Sequence, residues 1–450
     1  MKAPDVNFDN YLAPQQEPMK RALVELVSIQ SVCDKQTPEY PFGQAIDQAL
    51  RKALEIAGSL GFKAHYGDGG YYGWAEIGDG PEMLGILGHL DVVPAGQRAD
   101  WKTDPFDPVE KDGMLYGRGT QDDKGPLVSS LFAVKALMDA GVKFNKRVRF
   151  IFGADEETLW RCINRYKEKE EAPSMGFSPD SRFPLIYAEK GLLQLKLEGE
   201  NRTDIRMSGG SAFNAVPDAM FYDGVLEEEL ADQLDQRRFA YEWKDDGIEV
   251  KGKAVHAMIP EEGVNAIARL CIALCAVGVQ SKAITFIARE IGEDPYATRI
   301  FGACSDEPSG KLKFNVGMIH LAEKEQISID MRIPVTASKD ELVGKLRAAA
   351  EAYGLQYKEF DWLPPLYVPR DHPVVATLMK AYREVSGDTV SEPIASGGAT
   401  YARAFGSCVA FGPLFPGEPV TEHEPNERAV LDNLYRAMKI YANAVYALTR

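Results

Sequence analysis

The chain predicts an α/β fold: a mainly parallel sheet with helices on both faces, carrying an inserted α+β domain. Three observations predict it. A short, continuously apolar run at residues 83–88 and a second, mostly apolar one at 148–152 read as buried strands. Helical periodicity at residues 15–32, 44–60 and 127–140 alternates with strand-like segments, the order that winds a parallel sheet. The character then changes near residue 187 and reverts after Pro364-Pro365, so a second domain interrupts the first.

Each element has its own signal. Gly61 follows the 44–60 helix as a stop. Residues 63–75 are strand-like around Asp68-Gly69-Gly70, a hairpin turn. The 83–88 strand runs into His89, and helix 127–140 passes through Gly141 to strand 148–152. A charged, aromatic helix is expected at 160–171. In the interrupting region, strands at 192–197, 247–250, 312–320 and 326–333 are punctuated by helices at 225–233, 264–277 and 339–353. Two successive strand-helix-strand-strand-helix-strand halves, ferredoxin-like in order, fit this. Helix 374–385, strand 409–411 and a last helix at 427–448 then close the first domain. The expected division is 1–188 with 366–450 as one discontinuous domain, and 189–365 as the insert.

Composition narrows the classes. At 450 residues the chain exceeds what one core organises. Its net charge of -16 argues against a nucleic-acid surface, which needs a basic footprint. The six cysteines show no framework spacing and no Cys-x-x-Cys pair, so reduced thiols are expected. Residues 1–12 lack the basic and apolar regions of a signal peptide. No apolar run approaches the ~18 residues of a membrane span. A cytoplasmic protein without membrane or nucleic-acid partners is the expectation.

The chemistry-bearing residues fall at strand ends and in loops. His89 and Asp91 share one face of an extended segment, at the carboxyl end of a strand where open α/β sheets place their sites. A carboxylate behind an imidazole is how a metal-ligating histidine is oriented. Asp122-Asp123 follow a Gly-x-Gly turn ahead of a helix; taken alone, an N-cap explains them as well. Asp155-Glu156-Glu157 end the second buried strand, where three carboxylates would repel one another without a cation. A helix start favoured by the dipole is the plainer reading. Neighbouring residues point in opposite directions, so Glu156 and Glu157 are expected to do different work, one as a ligand and one as a base. Asp180 follows a proline as a turn residue would, and His423 lies between acids in a late loop.

Taken together and in order, these segments resemble the co-catalytic zinc metallopeptidases that include carboxypeptidase G, the aminoacylases, succinyl-diaminopimelate desuccinylase and the PepV-type dipeptidases. The residues that carry the resemblance are Gly88-His89-Leu90-Asp91, the stretch from Leu115 to Gly125, Asp155 to Thr158, Pro179-Asp180 ahead of Glu189-Lys190-Gly191, and His423. The resemblance implies that His89 and Asp180 hold one metal ion, Glu157 and His423 a second, and Asp122 bridges both. It implies two divalent ions per chain, zinc first, with manganese and cobalt as the other candidates. Glu156 would be the general base and acid, and Asp91 the partner that orients His89. A cis peptide is expected after the bridging aspartate, at Asp122-Asp123.

In the insert, the resemblance makes His256 a lid histidine that stabilises the oxyanion, and Asn214 and Arg332 substrate-binding residues. Arg332 paired with Asp330 is the plainer alternative. Gly397 and Gly398 resemble a glycine loop near the substrate carboxylate. The length of the insert and the phrases around Asn214 and Asp180 are PepV-like, which favours a monomer over a homodimer. The expected activity is a dipeptidase acting on short, N-terminally free peptides, with Glu156 or Asp91 available to the substrate ammonium. The alternative is a deacylase or desuccinylase of N-acyl amino acids, and a non-catalytic metal-binding protein is the remote one. Glu422 departs from the pattern, since an apolar or small residue is more usual before that histidine.

Overall fold

The computed structural model describes residues 7–450; residues 1–6, part of the stretch read above for a leader, lie outside the described residues. The chain forms two compact units. Among the described residues, one comprises residues 7–187, 367–394 and 400–450, and the other residues 188–366 and 395–399.

The first unit is organised by strand Met83–His89, every residue of which is buried. It pairs in parallel with Arg147–Gly153 on one side and Met175–Ser178 on the other. Strand Cys408–Ala410 adds to the latter, also in parallel. Parallel pairing forms the centre of this sheet. Beyond Arg147–Gly153 the sheet continues through Tyr72–Ile77 and Lys63–Gly67, both paired antiparallel, the last two joined by a tight hairpin. Helix Lys124–Asp139 packs against the central strand and is buried on nearly all sides. Helix Leu431–Leu448 lies along it, and Gln44–Ser59 covers the hairpin strands.

Two expected helices are shorter by a full turn or more in the structure. The first ends at Val27, because residues 28–32 turn away to a parallel bridge between Val32 and Val92. The last begins at Leu431 and not at residue 427. The intervening Arg428–Val430 is a strand paired with Met114–Tyr116, which takes the backbone hydrogen bonds that a helical turn would use.

The second unit holds a five-stranded antiparallel sheet in the order Met207–Gly209, Lys313–Leu321, Lys324–Ile333, Gly191–Glu200, Gln356–Leu363. A smaller sheet comprises Ala219–Tyr222, Gly247–Lys251 and Tyr241–Lys244, while the larger one draws strands from both the early and the late part of the insert. Leu193, Leu195 and Leu197 alternate into a core shared with Ile327, Ile329, Met331 and helix Ala266–Ala276. Cys271 sits in that core, and all six cysteines are free thiols. No helix among the described residues is long and apolar enough to cross a membrane.

Candidate active site

The parallel register places His89 opposite Gly153, so the carboxyl ends of two central strands deliver His89 and the 154–160 turn side by side. His89 is 1% exposed. Its Nδ1 lies 2.8 Å from the Asp91 carbonyl oxygen and 3.6 Å from Asp91 Oδ1. Its Nε2 faces Asp122 Oδ1 at 2.8 Å and Asp180 Oδ2 at 3.7 Å. The backbone N–H of His89 donates to Asp123 Oδ2 at 3.1 Å. Gly88 is what permits that approach, since a Cβ there would stand 2.5 Å from the same oxygen.

Asp122 is the junction of the cluster. While Oδ1 meets His89, Oδ2 lies 3.1 Å from His423 Nε2. The same histidine nitrogen is 3.0 Å from Glu157 Oε1. The peptide between Asp122 and Asp123 is cis. Asp91 works from beneath: Oδ1 accepts the N–H of Glu156 and Oδ2 that of Glu157, each at 3.1 Å. It is 1% exposed and turned into the protein, which leaves it no face for a substrate ammonium. No protein group among the described residues hydrogen-bonds the Glu156 carboxylate.

The electrostatics describe a site crowded with negative charge. Burial pushes the carboxyls of Glu156 and Asp180 well above their usual range, and neighbouring carboxylates push further. Glu157 is raised for the same reasons, with His423 pulling the other way. His423 is driven up to about 11; burial opposes protonation, but its hydrogen bonds to Asp122 and Glu157 outweigh that. His89 is likewise raised well above its usual value against the cost of burial, through Asp122 and Asp91. Histidine charge is standing in for positive charge the site demands. Imidazole and carboxylate donors without thiolate suit a borderline or hard divalent cation, and His89, Asp122 and Glu157 offer ligand atoms within 4.8 Å of one another.

Residues missed by the sequence reading hold these groups in place. Glu427, read there as a helix start, is fully buried with Arg118, whose Nη1 donates to it at 2.7 Å. Its other oxygen accepts backbone N–H groups of the 119–122 turn. Asp155 holds the 155–161 turn by accepting from Arg161 and Thr158. Tyr401 packs edge-on to His89 with ring centroids 6.3 Å apart. Only the Gly-x-Gly turn and the acid after Asn426 hinted at the first of these.

The remaining candidates belong to the second unit. His256 and Ala215 form an antiparallel bridge, and Ala257 donates to the carbonyl of Asn214, so His256 and Asn214 stand on neighbouring exposed segments. Arg332 is 2% exposed. Its Nε and Nη2 donate to Asp330 at 2.6 and 3.0 Å, and Nη1 to the Gly397 carbonyl at 2.8 Å. Its charge is thus already matched, and it anchors the glycine loop. Gly398 N–H in that loop donates to Ser396 Oγ at 2.9 Å.

A family model described as Peptidase family M20/M25/M40 matches residues 85–447. A Bacillus subtilis (strain 168) protein named "Putative dipeptidase YtjP" is 34% identical over 470 residues, covering 99% of this chain and 100% of its own. "Putative dipeptidase SH1171" of Staphylococcus haemolyticus (strain JCSC1435) is 36% identical over 450 residues, at 94% and 95% coverage. Among solved structures, the di-peptidase Dug1p of Saccharomyces cerevisiae superposes with a TM-score of 0.63 at 14% identity, covering 98% of each chain. Human carnosine dipeptidase 1 gives 0.58 at 18% identity, covering 98% of this chain and 99% of that one. At such identities the two structures speak for the fold.

Proposed function

Since the chain belongs to peptidase family M20/M25/M40, we propose that it is a metal-dependent dipeptidase hydrolysing short, N-terminally free peptides. The observation that carries this reading is Asp122, whose two oxygens each face a different histidine. That is the arrangement a bridging carboxylate needs. His89 and Asp180 would hold one cation, His423 and Glu157 the other, and Asp122 would be shared. Zinc is the first candidate for this donor set, with manganese and cobalt next. When bound, a pair of divalent cations would polarise the scissile carbonyl and acidify the attacking water.

The protein's own groups do the rest. Glu156 takes a proton from the attacking water and returns it to the leaving nitrogen as the C–N bond breaks. Its raised proton affinity suits that task, because a base works best when its pKa approaches the working pH. Asp91 fixes the His89 ring from behind and the backbone of both glutamates. His256 would meet the developing oxyanion and Asn214 the substrate backbone. Arg332 would act through the Gly397–Gly398 loop, which it holds, and that loop would receive the substrate carboxylate. The dipeptidase names of relatives 34–36% identical support the substrate class.

The test is a panel of dipeptides and N-acyl amino acids, assayed on chelated protein with Zn²⁺, Mn²⁺ or Co²⁺ restored. Dipeptide turnover that depends on the added cation is expected. Equal turnover of N-acyl amino acids would make the protein a deacylase, and no turnover with any cation would end the hydrolytic reading.

A further inference from the structure

We propose that Gln121 and Glu427 are positioning residues, a reciprocal clamp between the 117–123 turn and the 419–428 loop that sets how tightly the centre takes its cations. The inference rests on reading Asp122 and His423 as cation ligands.

Glu427 reaches from the late loop into the early turn. Its Oε1 accepts the N–H groups of Gly119, Gln121 and Asp122 at 3.0, 2.9 and 3.2 Å. Its Oε2 receives Arg118. Gln121 reaches the opposite way. Its Oε1 accepts the N–H groups of Thr421 and Glu422 at 2.6 and 3.0 Å and the Thr421 hydroxyl at 3.1 Å. Its Nε2 donates to the carbonyls of Pro419 and Arg428 at 3.2 and 3.4 Å. Each side chain therefore grips backbone at or beside a candidate ligand: Glu427 holds the N–H of Asp122 itself, and Gln121 holds the N–H just before His423.

Two features make the clamp more than generic loop bonding. The Glu427 carboxylate is fully buried and Gln121 nearly so, so water cannot take over their hydrogen bonds when either is cut. His423 has φ of 63°, a left-handed conformation that a non-glycine residue keeps only where its surroundings fix it. The bonds from Gln121 end at the residue preceding it. Asn426, with the same φ of 63°, ties the other side of the loop by donating to the Asp100 carbonyl at 3.0 Å. Neither clamp residue is among the proposed ligands. Groups that orient ligands from behind shift metal affinity by about 10–100-fold.

The test is competition for Zn²⁺ against a chromophoric chelator, on the full chain and on Glu427→Gln and Gln121→Met, with circular dichroism and melting of each metal-free protein. Gln121→Met keeps side-chain length and removes five hydrogen bonds without touching a charge. The expected result is folded variants whose Zn²⁺ Kd rises about 10–100-fold, with excess Zn²⁺ recovering kcat. If Glu427→Gln fails to fold because Arg118 loses its charge partner, Gln121→Met decides. Folded variants with unchanged Kd overturn the proposal, as do two unfolded ones, which would make the clamp a fold element only. An unaltered protein that takes up no Zn²⁺ overturns the ligand reading as well, and is told apart by that.

Discussion

Glu156 and Glu157 are adjacent but not interchangeable. Asp91 holds the N–H of each, yet the Glu157 carboxylate ends on His423 while that of Glu156 hydrogen-bonds no protein group among the described residues. Glu156→Ala is expected to lower kcat by about 10²–10⁴-fold with bound cation unchanged. Glu157→Ala is expected to lose cation, measured by elemental analysis; the opposite pattern would exchange their roles. Burial raises the Glu156 pKa, and its ionised form is the proposed base, so kcat/KM should rise with pH through a limb lying above the usual ~4.3 of glutamate. A limb at the ordinary value would count against it as the base. The histidines give a second pH effect. His423, at about 11, and His89, also raised, are protonated in the metal-free protein at neutral pH. Cation uptake must expel those protons, so apparent affinity strengthens as pH rises towards those pKa values. Calorimetry in two buffers of different ionisation enthalpy reads this directly, and identical heats in both would refute it.

Among the elements, what was legible in the sequence was local. A continuous apolar run at 83–88 and a mostly apolar one at 148–152 announce the two buried strands, and the groups they deliver stand at their carboxyl ends. Asp122, Glu157, Asp180 and His423 were legible only as segments in order, because each alone passes for a cap, a helix start, a turn or a loop residue. Contacts between distant segments were not legible. Glu427 bonds to residues some 305–309 positions away, and no periodicity encodes that reach. The same blindness misplaced the start of the last helix, where residues 428–430 are claimed by a strand partner at 114–116. Gly153 shows how an element end can matter without any chemistry of its own. A Cβ there would stand 2.2 Å from the ring of Tyr401, which in turn packs on His89. Gly153→Ala is expected to cost about 1–3 kcal/mol in a denaturant melt, by overpacking. It should also weaken cation binding, since the displaced Tyr401 ring packs edge-on to His89. Unchanged Zn²⁺ affinity would show that the ring is free to move.

Over the whole molecule, the net charge of -16 has a local expression in the first unit, where Asp122, Glu156, Glu157 and Asp180 converge. The unfolded chain spreads these groups between residues 122 and 180, with His89 and His423 still farther off, and cannot bind a cation with them together. Cations bound by the proposed ligands are therefore expected to stabilise the folded first unit selectively, by about 2.7 kcal/mol when free cation is a hundred times Kd. The second unit has its own apolar core and none of these six residues, so it has no reason to respond. Hydrogen exchange on chelated protein, with and without Zn²⁺, separates the two. Protection is expected to rise in residues 85–91, 117–123, 153–160 and 419–428, the segments that carry or hold the proposed ligands. Strands Gly191–Glu200 and Lys324–Ile333 should keep the protection their sheet already gives them. A uniform rise over both units would mean that the cation acts on overall charge, and not through convergent ligands.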